Sequence, residues 1–279
     1  MKNNTLTVAK FGGTSLANPE NIRRVIDIIK SNPARQIIVV SAPGKRSKDD
    51  IKITDKLIDI FDKKEAGECF DEVFDLVANR YYEIEREFNL DCQLGETFDE
   101  FYSEIPEGNR DFIISSGEYF MAKLMAGILD FEFVDLDKSN VISFDKDGNV
   151  NLEQGRKSFV RFKGKNVVVP GFYGITHSGT IKTFPRGGSD ITGAVIANIA
   201  GADLYENWTD VDGVYDSDPN KNQDAKRYDT LTYDQALTIT TSGAQVLHPE
   251  VFRYVQDAGI PIHLKNTFNP NGDGTIIKA

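Results

Sequence analysis

The chain has 279 residues, with 32 Lys and Arg against 43 Asp and Glu, so its formal charge is −11. Hydrophobic residues make up 40% and charged residues 27%, an ordinary globular balance that excludes a disordered chain, a collagen-like repeat and a disulfide-dense miniprotein. An acidic pI near 4.9 argues against a nucleic-acid binder, which needs a basic surface to neutralise phosphates, but leaves room for anionic substrates at a local basic site.

Two isolated cysteines, Cys69 and Cys92, suit reduced thiols in a cytoplasmic protein better than a disulfide framework or a zinc site. The N-terminus lacks the apolar stretch of a signal peptide. The longest apolar runs, such as 37–40 and 167–169, have strand length, so no membrane partner is expected.

Short β-branched runs alternate with helical patterns, the rhythm of a mostly parallel sheet covered by helices. Residues 5–10 read as the first strand. A helix is predicted over 19–31, with Asn18 as cap, Pro19 in the first helical position, and Ile22, Val25, Ile26 and Ile29 on one face. Residues 36–41 form the second strand and open into the polar loop 42–50. The stretch 54–129 is rich in amphipathic helices, with Glu118 alone on an otherwise apolar one. Residues 131–135 return to strand. The turn 145–149 joins 141–144 to 150–152 as a hairpin; its Asp-x-Asp-Gly lacks the later Glu of a calcium loop. Further strands are predicted at 167–170, 203–206, 261–265 and 275–277, a second hairpin over 171–184, and helices over 189–200 and 248–257. No repeat or linker divides the chain, which reads as one domain over 1–279.

Four constellations could carry chemistry. The first, Lys10-Phe11-Gly12-Gly13-Thr14-Ser15, ends the first strand. Two glycines let the backbone approach an anion, and a lysine there can offset charge during phosphoryl transfer. It matches neither the P-loop nor the dinucleotide fingerprint. The second, Arg186-Gly187-Gly188-Ser189-Asp190, runs into a helix N-terminus. Ser189 or Asp190 could cap that helix, while Arg186 is a natural partner for a carboxylate. The third is the acidic loop from Asn207 to Asn220, which includes Trp208-Thr209-Asp210-Val211-Asp212-Gly213-Val214-Tyr215. It reads as a turn-rich segment or as a nucleotide pocket with Tyr215 as a wall. The fourth, Glu118, could be a paired carboxylate or could receive an ammonium group inside a pocket.

Together the first three motifs, in this order and spacing, resemble the signatures of aspartokinases, and the resemblance extends from the first strand to Gly274-Thr275-Ile276-Ile277. It implies the fold of the amino-acid kinase superfamily, a three-layer αβα sandwich around a mostly parallel sheet. It also implies ATP-dependent phosphorylation of the β-carboxylate of L-aspartate, the first step toward lysine, threonine and methionine, with Mg²⁺ carried on ATP. By this resemblance Lys10 and Asp190 are catalytic, Asp190 orienting the lysine. Ser41, Thr54, Glu118, Arg186, Gly187, Gly188 and Ser189 bind the amino acid, Glu118 through its ammonium and Arg186 through its carboxylate. Lys10, Phe11, Gly12, Gly13, Thr14, Ser15, Thr209, Asp210, Tyr215, Asn220, Gln245 and Val246 line the ATP site.

The chain departs from that pattern in several places. Phe184-Pro185 precedes Arg186 where Leu-Gly is common, and Asn220 and Gln245 stand where basic residues often hold nucleotide. Lys45, Arg46 and Lys48 could compensate. Aspartokinases continue into a pair of ACT regulatory domains, which this sequence does not contain; since those domains contribute to dimerisation, a homodimer stays open. The nearest rival is another amino-acid kinase acting on glutamate or acetylglutamate. A rival of a different class is a binding module without turnover.

Overall fold

The computed structural model describes residues 5–185, 187–217, 222, 224–241 and 247–279. In chain order it forms β1 (Thr7–Phe11), a 3₁₀ turn (Thr14–Leu16), α1 (Pro19–Lys30), β2 (Arg35–Val40), α2 (Ile53–Ala66), α3 (Asp71–Glu87), α4 (Leu94–Glu104) and α5 (Arg110–Leu129). There follow β3 (Glu132–Phe133), α6 (Leu136–Ser139), α7 (Leu152–Phe159), β4 (Val167–Pro170), β5 (Tyr173–Ile175), β6 (Ile181–Thr183) and α8 (Gly188–Ala200). The last elements are β7 (Leu204–Thr209), β8 (Thr230–Thr232), α9 (Tyr233–Thr241), α10 (Val251–Val255), β9 (Ile262–Asn266) and β10 (Thr275–Lys278).

Eight strands build one sheet in the order β3-β4-β2-β1-β7-β9-β10-β8, parallel at every pair except β9–β10. The hairpin β5–β6 stands apart. Parallel strands covered on both faces must be apolar on both, and the central ones are: Val8, Ala9, Ile37, Ile38, Val167 and Val168 are all buried.

The period-two alternation of β1 sorts the two faces. Val8 packs with Ile191, Val195 and Ile199 of α8. Ala9 and Phe11 pack with Ile22 and Val25 of α1, Leu57 of α2 and Met121 of α5. Lys10 shares its face with Val8 and so meets α8. Tyr205 and Asn207 of β7 pair in register with Val8 and Lys10. The result is the expected three-layer αβα sandwich.

Most predicted elements lie within a residue or two of the observed ones. The 141–152 hairpin reduces to single bridges, Phe144 with Val150 and Ser143 with Ile175. Leu152 instead begins α7, because the Asn151 side chain accepts the Gln154 N–H and caps a helix there. The strand at 131–135 is only β3, since Asp135 turns away to cap α6. The helix at 248–257 is the shorter α10, and β8 and α9 were not expected. The turn at 145–149 is held by the Asp145 carboxylate accepting the N–H groups of Asp147 and Asn149.

α5 is the one described helix long and apolar enough to cross a membrane, a stretch that strand-length runs did not anticipate. Most of it is buried in the core instead. A Cβ at Gly117 would fall 2.9 Å from the Cβ of Ala42 and 3.2 Å from Leu57, so α5 sits hard against both the loop after β2 and α2.

Beneath the sheet, Arg35 forms a two-pronged pair with Glu206, at 2.7 Å from Nε to Oε2 and 3.1 Å from Nη2 to Oε1. Trp208 Nε1 donates to the same Oε2 at 2.8 Å, and the guanidinium lies 5.2 Å over the Trp208 ring. Both charges are buried, so removing one strands the other. Glu206→Gln should therefore cost about 3 kcal/mol, seen as a lower urea midpoint at unchanged m-value.

Candidate active site

A cleft of about 1080 Å³ opens at the carboxyl ends of the central strands. It gathers Lys10, Gly12, Gly13, Thr14, Ser41, Thr54, Glu118, Gly187, Gly188, Ser189 and Asp190, which the sequence scatters over most of its length. Residues come together here because parallel strands send all their carboxyl ends to one edge of the sheet.

Lys10 leaves β1 on the α8 face, and its ammonium lies 2.5 Å from Asp190 Oδ1. Asp190 is fixed twice more. Asn207 Nδ2 donates to the same Oδ1 at 2.9 Å, and the Tyr205 hydroxyl donates to the Asp190 carbonyl at 3.0 Å. Sequence reasoning missed Tyr205, and it placed Asn207 only in a segment read as a turn-rich loop or a nucleotide pocket. The strand register, which sets Asn207 beside Lys10, gives both residues their place at Asp190. The expected capping role of Ser189 or Asp190 is not what forms: Gly187, at φ +85°, turns the chain into α8 without a side-chain cap. Both residues therefore fall inside the first turn, where Asp190 faces Lys10.

The glycine loop owes its shape to close backbone approach. The Gly12 N–H donates to the Trp208 carbonyl at 3.1 Å, and the Gly44 N–H to the Gly13 carbonyl at 2.8 Å. A Cβ on Gly13 would meet the Ala42 carbonyl at 2.9 Å, and one on Gly44 would meet Gly13 at 2.7 Å. No other residue fits at either contact. The loop after β1 and the loop after β2 thus touch along their backbones at the floor of the cleft.

Glu118 enters from α5. It is buried, and its Oε2 has no hydrogen-bond partner. Burial pushes its carboxyl up to about 8, against smaller opposing effects from the Ala42 and Glu118 backbone N–H groups and from the Lys10 charge. A neutral acid with an unsatisfied oxygen lining a polar cleft is prepared for a cationic group, which would favour its ionised form.

Other predicted residues sit elsewhere. Phe11 is buried in the core and stacks on Trp208 at 6.0 Å. The Ser15 hydroxyl is fully buried against Thr267 at 2.8 Å. Neither side chain reaches the cleft, so any part they play there is through backbone. Thr209, Asp210 and Tyr215 lie beyond its lining; the Thr209 hydroxyl donates to Asp210 and Tyr215 bridges to Arg227. Arg186, Asn220, Gln245 and Val246 lie outside the described residues. Of the cations expected to compensate at 220 and 245, Arg46 is engaged by Asp50 and Glu83.

A second residue that sequence reasoning missed is Phe172, which lines the cleft at φ +77°. A bulky side chain in the left-handed region is strained and persists only when held. Its N–H donates to the Thr192 hydroxyl at 2.9 Å and its carbonyl accepts from the Phe184 N–H at 2.7 Å. No sequence signal marks such a conformation.

The model of the amino acid kinase family matches residues 5–266. The chain belongs to the amino acid kinase family. Among relatives in that family, aspartokinase 3 of Bacillus subtilis (strain 168) is 35% identical over 287 residues, which cover 98% of this chain and 63% of that protein. The aspartokinase of Rickettsia prowazekii (strain Madrid E) is 30% identical over 285 residues, covering 98% and 55%. Among solved structures, the aspartate kinase of Clostridium acetobutylicum superposes with a TM-score of 0.91 at 39% identity, covering 98% of this chain and 63% of that one. Aspartokinase III of E. coli, in complex with aspartate and ADP, superposes at 0.85 with 26% identity, covering 98% and 64%. This amino acid kinase chain thus spans less than two thirds of the length of each of these four relatives.

The raised Glu118 carboxyl has a signed consequence for stability. Above the ordinary value of 4.5 the unfolded chain ionises while the folded chain stays protonated up to about 8, so folding loses stability across that window and no further above it. Glu118→Gln should remove this loss. The melting temperature of the variant minus that of the parent should climb from pH 5 to pH 8 and then level off; a difference independent of pH would contradict a buried neutral carboxyl.

Proposed function

We propose that this chain is the catalytic domain of an ATP-dependent aspartate kinase, over residues 1–279, forming 4-phospho-L-aspartate as the first step toward lysine, threonine and methionine. The observation that carries the reading is the cleft itself. One wall holds an ammonium fixed by a carboxylate, Lys10 with Asp190, beside the glycine loop. The other holds Glu118, a buried carboxyl with a free oxygen. The resemblance to chains named aspartokinase, one of them solved with aspartate and ADP, supports the same assignment.

In this reading the γ-phosphate of ATP lies against the glycine loop after β1, with Lys10 on its oxygens. A lysine has three donors, so Asp190 can orient it while two stay available for phosphate. Glu118 takes the α-ammonium of aspartate, Arg186 its α-carboxylate, and Ser41, Thr54 and Ser189 line the amino-acid side. The β-carboxylate is already ionised near neutral pH, since its ordinary pKa is about 3.9, so no general base is needed. One of its oxygens bonds to the γ-phosphorus as the bond to the β–γ bridging oxygen breaks, and ADP leaves with that electron pair. Catalysis then rests on alignment and on the fixed Lys10 charge.

Among the described residues no group of three or more His, Cys, Asp or Glu side chains is spaced to hold a metal ion. In this reading Mg²⁺ arrives on the nucleotide phosphates with most of its waters. Such an ion would screen the phosphate charge. The two free cysteines fit a reducing cytoplasm, and a homodimer is the assembly to look for first.

The test is ATP turnover with Mg²⁺ and aspartate, glutamate, N-acetylglutamate or no acceptor, trapping the acyl phosphate with hydroxylamine. Aspartate alone should give hydroxamate, and Lys10→Ala should lower the yield about a hundredfold or more. Trapping with another acceptor would reassign the substrate, and nucleotide binding without any trapping would favour a binding module. Because Glu118 must ionise to receive the ammonium, the apparent affinity for aspartate should also rise as pH climbs toward about 8. A pH-independent KM would remove Glu118 from that role.

A further inference from the structure

Behind the cleft, one buried guanidinium joins the two loops that form its floor. Arg80 of α3 is 4% exposed. Its Nη1 donates at 2.8 Å to the carbonyl of Ala17, where the 3₁₀ turn after the glycine loop ends. Its Nη2 donates at 2.5 Å to Asp50 Oδ2, on the loop between β2 and α2. Arg46 closes that loop on itself, its N–H at 2.9 Å and its Nε at 3.2 Å from the same oxygen, and reaches Glu83 at 3.1 Å. Burial works to raise the Asp50 carboxyl, but the hydrogen bonds from Arg46 and Arg80 together hold it well below the usual carboxylate range, so the clamp stays charged at neutral pH.

The clamped loops are the ones that face each other in the site. At its front edge the Gly44 N–H donates to the Gly13 carbonyl at 2.8 Å, and Ala42, Pro43, Gly44 and Lys52 form the wall opposite Gly12–Thr14. Arg80 and Asp50 do not themselves line the cleft. Burying a charge only for stability is inefficient, because an apolar residue of similar size does as well. Here both hydrogen-bonding ends of the buried group terminate on site loops.

We propose that Arg80 and Asp50 are positioning residues: their ion pair, with the bond to the Ala17 carbonyl, sets the separation between the phosphate-side loop and the acceptor-side loop. Phosphoryl transfer needs the attacking oxygen and the phosphorus aligned at close range, and a displacement of about 1 Å is enough to cost about a hundredfold in rate. The kinetic part of this inference rests on the carboxylate-kinase reading; the structural part does not.

The experiment compares Asp50→Asn, Arg80→Lys and their double variant with the full chain, using Glu83→Gln as a peripheral control. Amide hydrogen exchange at Gly44 and over 15–17 reports loop separation, and steady-state turnover reports alignment. Asp50→Asn, which keeps the side chain's size and removes only its charge, should speed exchange in both loops together. It should lower kcat about ten- to hundredfold while each KM moves less than about threefold. Arg80→Lys should do the same, and the double variant should be no worse than the worse single one, because both remove one device. Glu83→Gln should match the parent. A folded Asp50→Asn protein with parental exchange at Gly44 would overturn the inference, as would single-variant losses that multiply in the double. If the parent shows no aspartate-dependent turnover, the kinase reading fails while the exchange comparison still decides the clamp.

Discussion

An ammonium group at the end of a central β-strand has lost most of its water and is tolerable only beside a carboxylate. Lys10 has that carboxylate in Asp190, and much of the architecture can be traced from this contact. For the two to meet, Lys10 must lie on the α8 face of β1, which the alternation of Val8 and Lys10 with Ala9 and Phe11 ensures. α8 must begin within one turn of Asp190, which the left-handed Gly187 allows. β7 must lie beside β1 in the register that brings Asn207 against Lys10. A one-residue slip would send Asn207 to the opposite face and leave Glu206 under α8 instead of under Arg35.

The two faces of β7 therefore carry two separate charge arrangements. On the α1 side, Glu206, Arg35 and Trp208 form a closed set in which each polar group has a partner, and nothing there reaches the cleft. On the α8 side, the set is left open. Lys10 keeps donors free beyond Asp190, and at the same strand ends Glu118, entering from α5 in the other helical layer, keeps an oxygen without a partner. Buried polar groups are normally satisfied, so these unsatisfied groups mark the edge of the sheet where the cleft opens. A chain with eleven more acidic than basic residues can then hold anionic reactants, because the fixed cation is local.

Two loops meet at the floor of this site, and the reasons for their proximity differ. Gly13 and Gly44 touch because neither has a Cβ, a contact of short range and little strength. Arg80 and Asp50 act from behind, through charges that burial keeps from screening. Phe172, held in a strained conformation by Thr192 and Phe184, forms another edge of the same cavity. The cleft thus has one wall braced by an ion pair and another by backbone strain.

Much of this was legible in the residues. Short apolar runs at 8–9, 37–40 and 167–169, buried on both faces, announce a parallel sheet, because only such a sheet needs strands apolar on every side. Gly-Gly after a lysine, Arg-Gly-Gly before a helix and a lone glutamate on an apolar helix mark positions where the chain departs from what packing alone requires. Local patterns of this kind are set by neighbours along the chain. The helix capped by Asn151 was overlooked because its apolar face is short, and β8 with α9 because neither has a distinctive run. What the tertiary structure decided is which of these residues meet. Asn207 beside Asp190, Arg80 between Ala17 and Asp50, Ser15 turned from the cleft into Thr267, and the neutral state of Glu118 all depend on register, helix crossing and burial. Those are properties of segments brought together from far apart in the chain, and no window of sequence contains them.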